Sequence, residues 1–238
     1  MTLLINIYGG PSAGKSTIAA GLFSYLNKHF SGAKSVELVT EYAKELTWEN
    51  RHLTLQKQFY VDGKQFRNLS RVVDAGVDYI VTDSPIMKGS YYAKTYCPEF
   101  PKAYHDTLRY FDEVLGPAIH IFLERDGEYQ TIGRNEPEEK ALEMDRGLRN
   151  LLQNEYGSYY SFNAGSPTIY EDILKIITTT NFIMNEDGTV ARYPDGTPKT
   201  YYPEKPWLNE YGYSHRTSRC SECDEWECDP NGIGHYRG

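Results

Sequence analysis

Apolar residues fall in short blocks over the first 180 positions, and the blocks alternate between two spacings. Leu3–Tyr8 is an apolar run with β-branched and aromatic content, which predicts a buried strand. Across Lys15–Phe30 the apolar positions Ile18, Leu22, Phe23 and Leu26 share one face of a helix. Ser35–Thr40 reads as a second strand. A long helical pattern then runs from His52 to Ala75, with Leu55, Phe59, Phe66 and Val73 on its apolar side. Asp78–Thr82 is a third strand, closed by Asp83-Ser84-Pro85, and Ala118–Leu123 a fourth. Pro137–Glu155 predicts a helix, Tyr159–Asn163 a fifth strand, and Pro167–Thr178 a closing helix. Strands alternating with helices in this way predict an α/β fold: a five-stranded parallel sheet with helices on both faces.

The pattern changes near Asn181. Asn185-Glu186-Asp187-Gly188 and Pro194-Asp195-Gly196-Thr197 are turn signals, and helical periodicity is lost. The chain therefore divides into a 1–180 domain and a 181–238 appendage. Within the appendage, 181–212 is expected as a small hairpin or extended arm, and 213–238 as a cysteine-rich tail.

Between the first strand and first helix lies Gly9-Gly10-Pro11-Ser12-Ala13-Gly14-Lys15-Ser16-Thr17, which matches G-x-x-x-x-G-K-[ST]. Each residue type has a reason to be there. The glycines let backbone N–H groups turn inward around phosphates. Lys15 reaches the β- and γ-phosphates, and Ser16 offers its hydroxyl to Mg²⁺. The helix that follows presents its N-terminus to the anion. ATP and Mg²⁺ are the expected cofactors. A strand before the loop and a helix after it are the context this motif requires.

In an open α/β sheet, ligands bind beyond the carboxyl ends of the strands. Two acids stand at such ends. Asp83 follows Tyr79-Ile80-Val81-Thr82 in a Walker-B-like arrangement suited to holding Mg²⁺. Glu41 follows Val36–Thr40 and is placed to accept a proton from an attacking hydroxyl or to orient the acceptor. The blander alternatives are a helix N-cap for Asp83 and a solvated helix-opening carboxylate for Glu41.

Composition narrows the partners. There are 25 Lys+Arg against 33 Asp+Glu, a net charge of −8, and that repels phosphate backbones at long range. Nucleic acid is therefore disfavoured as a partner, while a local basic cleft for one small phosphorylated ligand is not. No apolar run reaches the ~18 residues of a membrane helix. The N-terminus runs straight into the first strand with no basic leader segment. Three of the four cysteines lie close together near the C-terminus, which suits a reducing, cytoplasmic setting better than a disulfide framework.

With the loop, Glu41 and Asp83 in place, residues 1–180 resemble the P-loop nucleoside and nucleotide kinases. Two branches are similar: the deoxynucleoside kinases, and the nicotinamide-riboside-kinase-like group of AAA-type P-loop proteins. Besides the loop, three segments carry the resemblance. Glu41-Tyr42-Ala43-Lys44-Glu45-Leu46, with Trp48, is similar to the acid-bearing segment after the second strand. Gln56-Lys57-Gln58-Phe59-Tyr60 falls where deoxynucleoside kinases read the base with a glutamine and aromatics. Ile132-Gly133-Arg134-Asn135-Glu136 looks like their lid, whose arginine closes over the phosphates. The resemblance implies catalytic roles for Lys15, Glu41, Asp83 and Arg134, with Arg125 as a second lid candidate. It also places Asn163-Ala164-Gly165-Ser166-Pro167 over the adenine. Two departures stand out. Tyr42 replaces the proline after the first acid, and Ser84-Pro85 replaces the arginine after the second, so the usual acceptor clamp would have to come from elsewhere; Arg51, Arg67 and Arg71 are the candidates, with ordinary solvated helix positions the alternative for each.

In the tail, Cys220-x-x-Cys223, Cys228 and His235 are soft or borderline ligands at a spacing that would suit Zn²⁺, with His215 an alternative fourth ligand. A tail with free thiols is the competing expectation. The sequence thus predicts phosphoryl transfer from ATP to the hydroxyl or phosphate of a nucleoside, deoxynucleoside or nucleoside monophosphate, and leaves homo-oligomers open. Two alternatives are a kinase acting on a hydroxymethylated base in DNA, and a nucleotide-dependent switch.

Overall fold

The structure, a computed structural model, describes residues 2–96, 98–126, 138–182 and 200–201. Five strands make one sheet: β1 (Leu3–Tyr8), β2 (Val36–Val39), β3 (Tyr79–Thr82), β4 (Ala118–Glu124) and β5 (Tyr160–Asn163). All pairings are parallel, in the order β2-β3-β1-β4-β5. The helices are α1 (Lys15–Phe30), α2 (Tyr42–Trp48), α3 (His52–Leu55), α4 (Gln58–Asp74), α5 (Gly89–Tyr96), α6 (Pro101–Leu115), α7 (Glu138–Tyr156) and α8 (Ile169–Thr179), with a 3-10 turn at Ile86–Lys88.

Alternation along β1 sorts its side chains to two faces. Leu3, Ile5 and Ile7 pack with Ile18, Leu22 and Leu26 of α1 and Ile169, Ile173 and Ile176 of α8. Leu4 and Tyr8 face the other layer. Leu4 meets Leu69 of α4 and Tyr104 and Leu108 of α6, while Tyr8 meets Met144, Leu148 and Leu152 of α7. Each fully buried Leu or Ile contributes about 1.5–3 kcal/mol of transfer free energy, so the two apolar layers clamp the sheet from both sides. Both neighbours of β1 are reached by crossovers. The gap between β3 and β4 at the carboxyl end of β1 is therefore the topological switch point where ligands bind.

The predicted α/β fold with its five-stranded parallel sheet is what the structure shows. One local expectation needs correction, and three helices add to the predicted set. The 52–75 stretch is two helices, because Lys57 (φ −81°, ψ 73°) leaves helical space and the chain restarts at Gln58. Tyr42–Trp48 forms its own short helix. The stretch between Pro85 and Pro117 holds α5 and α6, where the sequence reading assigned nothing. Pro101 opens α6 at a position where proline's missing N–H is harmless. At the start of the C-terminal appendage, Asn181–Phe182 pairs antiparallel with Thr200–Tyr201, which brings two ends of the expected arm together. The rest of the arm and the whole of the 213–238 tail lie outside the described residues.

Candidate functional site

The phosphate loop leaves β1 at the switch point and turns on unusual backbone angles. Gly9 (φ 146°), Ser12 (φ 61°) and Gly14 (φ 78°) all have positive φ. Glycine adopts such angles at little cost, whereas Ser12 is a non-glycine residue held in the left-handed region. Strain of that kind clusters at ligand sites. Ala13 is buried. Gly10 and Pro11 begin the turn, and α1 starts at Lys15, so the positive end of its dipole sits on the loop. Lys15 Nζ donates to the Gly10 carbonyl at 2.8 Å. Ser16 and Thr17 are solvent-exposed on the first turn of α1.

Asp83 comes to the loop from the end of β3. Ser16 Oγ donates to Asp83 Oδ2 at 2.6 Å. The Asp83 side chain is 2% exposed, and its other oxygen, Oδ1, has no hydrogen-bond partner among the described residues. A buried, unpartnered carboxylate oxygen is costly, on the order of 1–3 kcal/mol or more. It persists where a ligand or cation compensates it. The N-cap alternative finds no support, since Asp83 makes no such bond; Ser84 N–H goes to Thr82 Oγ1 instead.

Glu41 sits at the end of β2 in extended conformation (φ −69°, ψ 115°) as the residue before α2. It is not a solvated surface carboxylate. Lys88 Nζ donates to Glu41 Oε1 at 2.7 Å, and the lysine side chain is 9% exposed. Burial pushes the Glu41 carboxyl upward, but the charges of Lys88 and Lys15 outweigh it and hold the group below its ordinary value. Burial likewise acts to lower Lys88, and the Glu41 charge, with help from Asp83, leaves it raised. Glu41, Asp83, Lys15 and Lys88 thus form one electrostatic cluster at the carboxyl ends of β1, β2 and β3.

Lys88 was not singled out by the sequence. It lies five positions after Asp83, where the family resemblance has an arginine directly following the acid, and only the tertiary structure brings it back to Glu41. A second buried group, of which the sequence marked Gln58 alone, lies within reach of the Lys88 charge. Gln58 Nε2 bonds both carboxylate oxygens of Asp62 at 3.2 Å, and the Tyr104 hydroxyl also donates to Asp62. Burial pushes Asp62 up to about 7, against the opposing influence of Gln58 and Lys88. Gln65 accepts the Tyr42 N–H at 3.0 Å and keeps its own buried Nε2 without a partner among the described residues. Of the sequence-predicted base-reading segment, Gln58 joins this buried cluster, whereas Phe59 and Tyr60 are largely exposed.

Arg125, at the end of β4, reaches the loop too. Its Nε donates to the Pro11 carbonyl at 3.0 Å, and it pairs with Asp145 of α7 at 2.5 Å. On the opposite side, the loop after β5 comes close to the phosphate loop: a Cβ added at Gly14 would stand 3.5 Å from Ala164 Cβ. Arg134 and the proposed zinc ligands Cys220, Cys223, Cys228 and His235 lie outside the described residues. Among the described residues no group of three or more His, Cys, Asp or Glu side chains gathers as a metal site, and no helix is long and apolar enough to cross a membrane.

Comparison with known proteins fits this architecture. A family model described as an AAA domain matches residues 4–167. No curated protein matches the chain. Among solved structures, thymidylate kinase from Ehrlichia chaffeensis is 15% identical, with a TM-score of 0.53; the match covers 74% of this chain and 98% of that one. Deoxyadenosine kinase from M. mycoides is 18% identical over the same shares, with a TM-score of 0.46, too low to carry weight. At these identities the likeness speaks to the fold alone.

Proposed function

The chain belongs to the AAA domain family, and on that premise we propose that it is an ATP-dependent P-loop kinase. Its acceptor in this reading is the hydroxyl or phosphate of a nucleoside, deoxynucleoside or nucleoside monophosphate, and residues 1–180 form the catalytic domain. The observation that carries it is the pairing of two half-sites. In this reading the Ser16–Asp83 contact serves the donor side, and the part-buried Glu41–Lys88 pair serves the acceptor side. A simple nucleotide switch has no need of the second.

The residues fit Mg²⁺. Ser16 Oγ and the unpartnered Asp83 Oδ1 are hard oxygen donors of the kind it prefers. When bound, Mg²⁺ supplies positive charge against the β- and γ-phosphates. Lys15 exchanges the Gly10 carbonyl for the phosphate oxygens and adds its own charge there. Glu41 accepts a hydrogen bond from the acceptor hydroxyl and aims it along the line of displacement. As the new O–P bond forms and the bond to the ADP oxygen breaks, the hydroxyl proton passes to Glu41. A carboxylate held low is a weak base, so its larger contribution is orientation. That suffices for a loose phosphoryl-transfer transition state, in which positioning and charge stabilisation dominate. Lys88 fixes Glu41 and brings a cation to the acceptor side. Arg134 is assigned the lid role, closing over the phosphates and excluding water.

Asp62 feels the Lys88 charge, and Gln58 and Gln65 share its helix; in this reading these side chains serve the acceptor's polar edge. The experiment is ADP formation from Mg²⁺-ATP with and without each member of a nucleoside, deoxynucleoside and monophosphate panel. Stimulation by one acceptor class in the unmodified protein, lost in Lys15→Ala, supports the reading. ADP formation indifferent to every acceptor would refute it.

A further inference from the structure

Arg125 and Asp145 do more than join β4 to α7. Asp145 Oδ1 accepts the Gly10 N–H at 2.6 Å. Asp145 Oδ2 takes Arg125 at 2.5 Å, and Arg125 Nε donates to the Pro11 carbonyl at 3.0 Å. Arg125 also donates to the Ala141 carbonyl on α7 at 3.2 Å. Both side chains are mostly buried, at 13% and 16% exposure. The fit leaves no room for change at Gly10, where a Cβ would stand 2.5 Å from the Asp145 carboxylate and 2.8 Å from the guanidinium.

The need for such a pair follows from the loop's sequence. Pro11 has no N–H, so the start of the turn lacks one of its ordinary backbone anchors. Of the backbone groups that remain, the Gly10 N–H goes to Asp145 and the Pro11 C=O to Arg125. The Gly10 C=O goes to Lys15 and Ala13. When Lys15 turns to a nucleotide, the Gly10 carbonyl keeps the Ala13 N–H at 3.4 Å, while the Arg125–Asp145 pair still holds the Gly10 N–H and the Pro11 carbonyl. The pair also solves an electrostatic problem. A carboxylate bonded into an anion-binding loop repels phosphate, and a guanidinium in contact with it cancels that repulsion.

We propose that Arg125 and Asp145 are a positioning pair for the nucleotide donor: they hold the Gly10–Pro11 half of the phosphate loop in its binding shape and neutralise the carboxylate that does so. The idea rests on the reading that ATP occupies this loop, not on the identity of the acceptor.

The test is equilibrium binding of ATP and of adenosine to the full chain. The variants are Arg125→Ala, Arg125→Lys, Asp145→Asn and the Arg125→Ala/Asp145→Asn double substitution. Removing one partner of a buried charge pair leaves the other uncompensated, so Arg125→Ala is expected to weaken ATP roughly tenfold or more. Adenosine, which carries no phosphate, keeps its affinity. Asp145→Asn, which retains an oxygen for the Gly10 N–H, changes ATP binding little. The double variant recovers much of the ATP affinity lost by Arg125→Ala, and Arg125→Lys retains most of it because the charge remains. Equal losses for ATP and adenosine, or no recovery in the double variant, would overturn the proposal. Circular dichroism checks that each variant is folded, and Arg125→Lys carries the test if the alanine variant is not. An unmodified chain that binds no ATP would overturn the donor-site reading itself, whereas ATP binding without acceptor turnover would leave this pair's role intact.

Discussion

Glu41 and Lys88 lie 47 residues apart in the chain and meet as a 2.7 Å ion pair at the mouth of the sheet. Together with Lys15, the pair holds the Glu41 carboxyl below its usual range, and in the proposed function it places a cation on the acceptor side. Lys88→Met removes that cation and its share of the Glu41 shift. Turnover is expected to fall on the order of a hundredfold, with ATP affinity within a few-fold of the unmodified chain. Lys88→Arg, which keeps the charge, should retain more activity than Lys88→Met. Steady-state kinetics with direct nucleotide titration separates the two halves of the site.

Asp83→Asn should separate activity from stability. The substitution keeps an oxygen for Ser16 Oγ and removes a buried carboxylate with one unpartnered oxygen. Turnover is expected to drop at least about a hundredfold, while the melting temperature holds or rises, as at sites where function carries a stability cost. A thermal scan beside a rate measurement checks both. Loss of activity together with loss of stability would instead assign Asp83 a structural role.

The pH dependence of stability has a predicted source in Asp62, whose carboxyl is pushed from 3.8 up to about 7 by burial. For an acid raised in the folded state, the native protein binds more protons than the unfolded chain between those values. Its contribution to stability is therefore present below about pH 4 and is lost as pH rises to about 7. Asp62→Asn removes this slope. The stability difference between variant and unmodified protein should shift in the variant's favour by up to about 4 kcal/mol across that window. Urea titrations at pH 4.5 and 7.5 would show it, and a flat difference would contradict it.

Gly89→Ala probes the same group sterically. A Cβ at Gly89 runs into the Asp62 carboxylate. Overpacking of this kind costs about 1–3 kcal/mol, and here it displaces the side chain next to Lys88. The expected result is reduced stability together with a raised acceptor KM, whereas Gly63→Ala on the open side of α4 should leave the KM unchanged.

How much of this was legible in the sequence depends on the range of each interaction. β1 and α1 are readable to the residue, because Leu3–Tyr8 is buried on both faces and Gly14 marks the helix start. The 52–75 helix was read as continuous because its apolar spacing runs on; the break at Lys57 is a backbone angle that spacing does not encode. α6 carried a usable signal in Pro101, Tyr104, Leu108 and Leu115 that was not taken up. α5, with Gly89-Ser90-Tyr91-Tyr92, had no clear period to read. In the site, the loop motif is local and therefore visible. Lys88 and Asp145 acquire meaning only from partners 47 and 135 residues away, the Glu41 carboxylate and the Gly10 N–H. Asp62 was hidden for a related reason: nothing in a helix-spaced Asp distinguishes a solvated face from a buried one until α6 covers it.

In the proposed reaction a phosphoryl group moves from ATP to a small acceptor under the control of Lys15. The most direct measurement is mass spectrometry of a nucleoside, deoxynucleoside, monophosphate and nicotinamide riboside panel after incubation with Mg²⁺-ATP and the purified chain. We predict one acceptor class gaining a single phosphate in the unmodified protein and none in Lys15→Ala. ATP bound by the unmodified protein with no phosphorylated product from any acceptor would contradict the account.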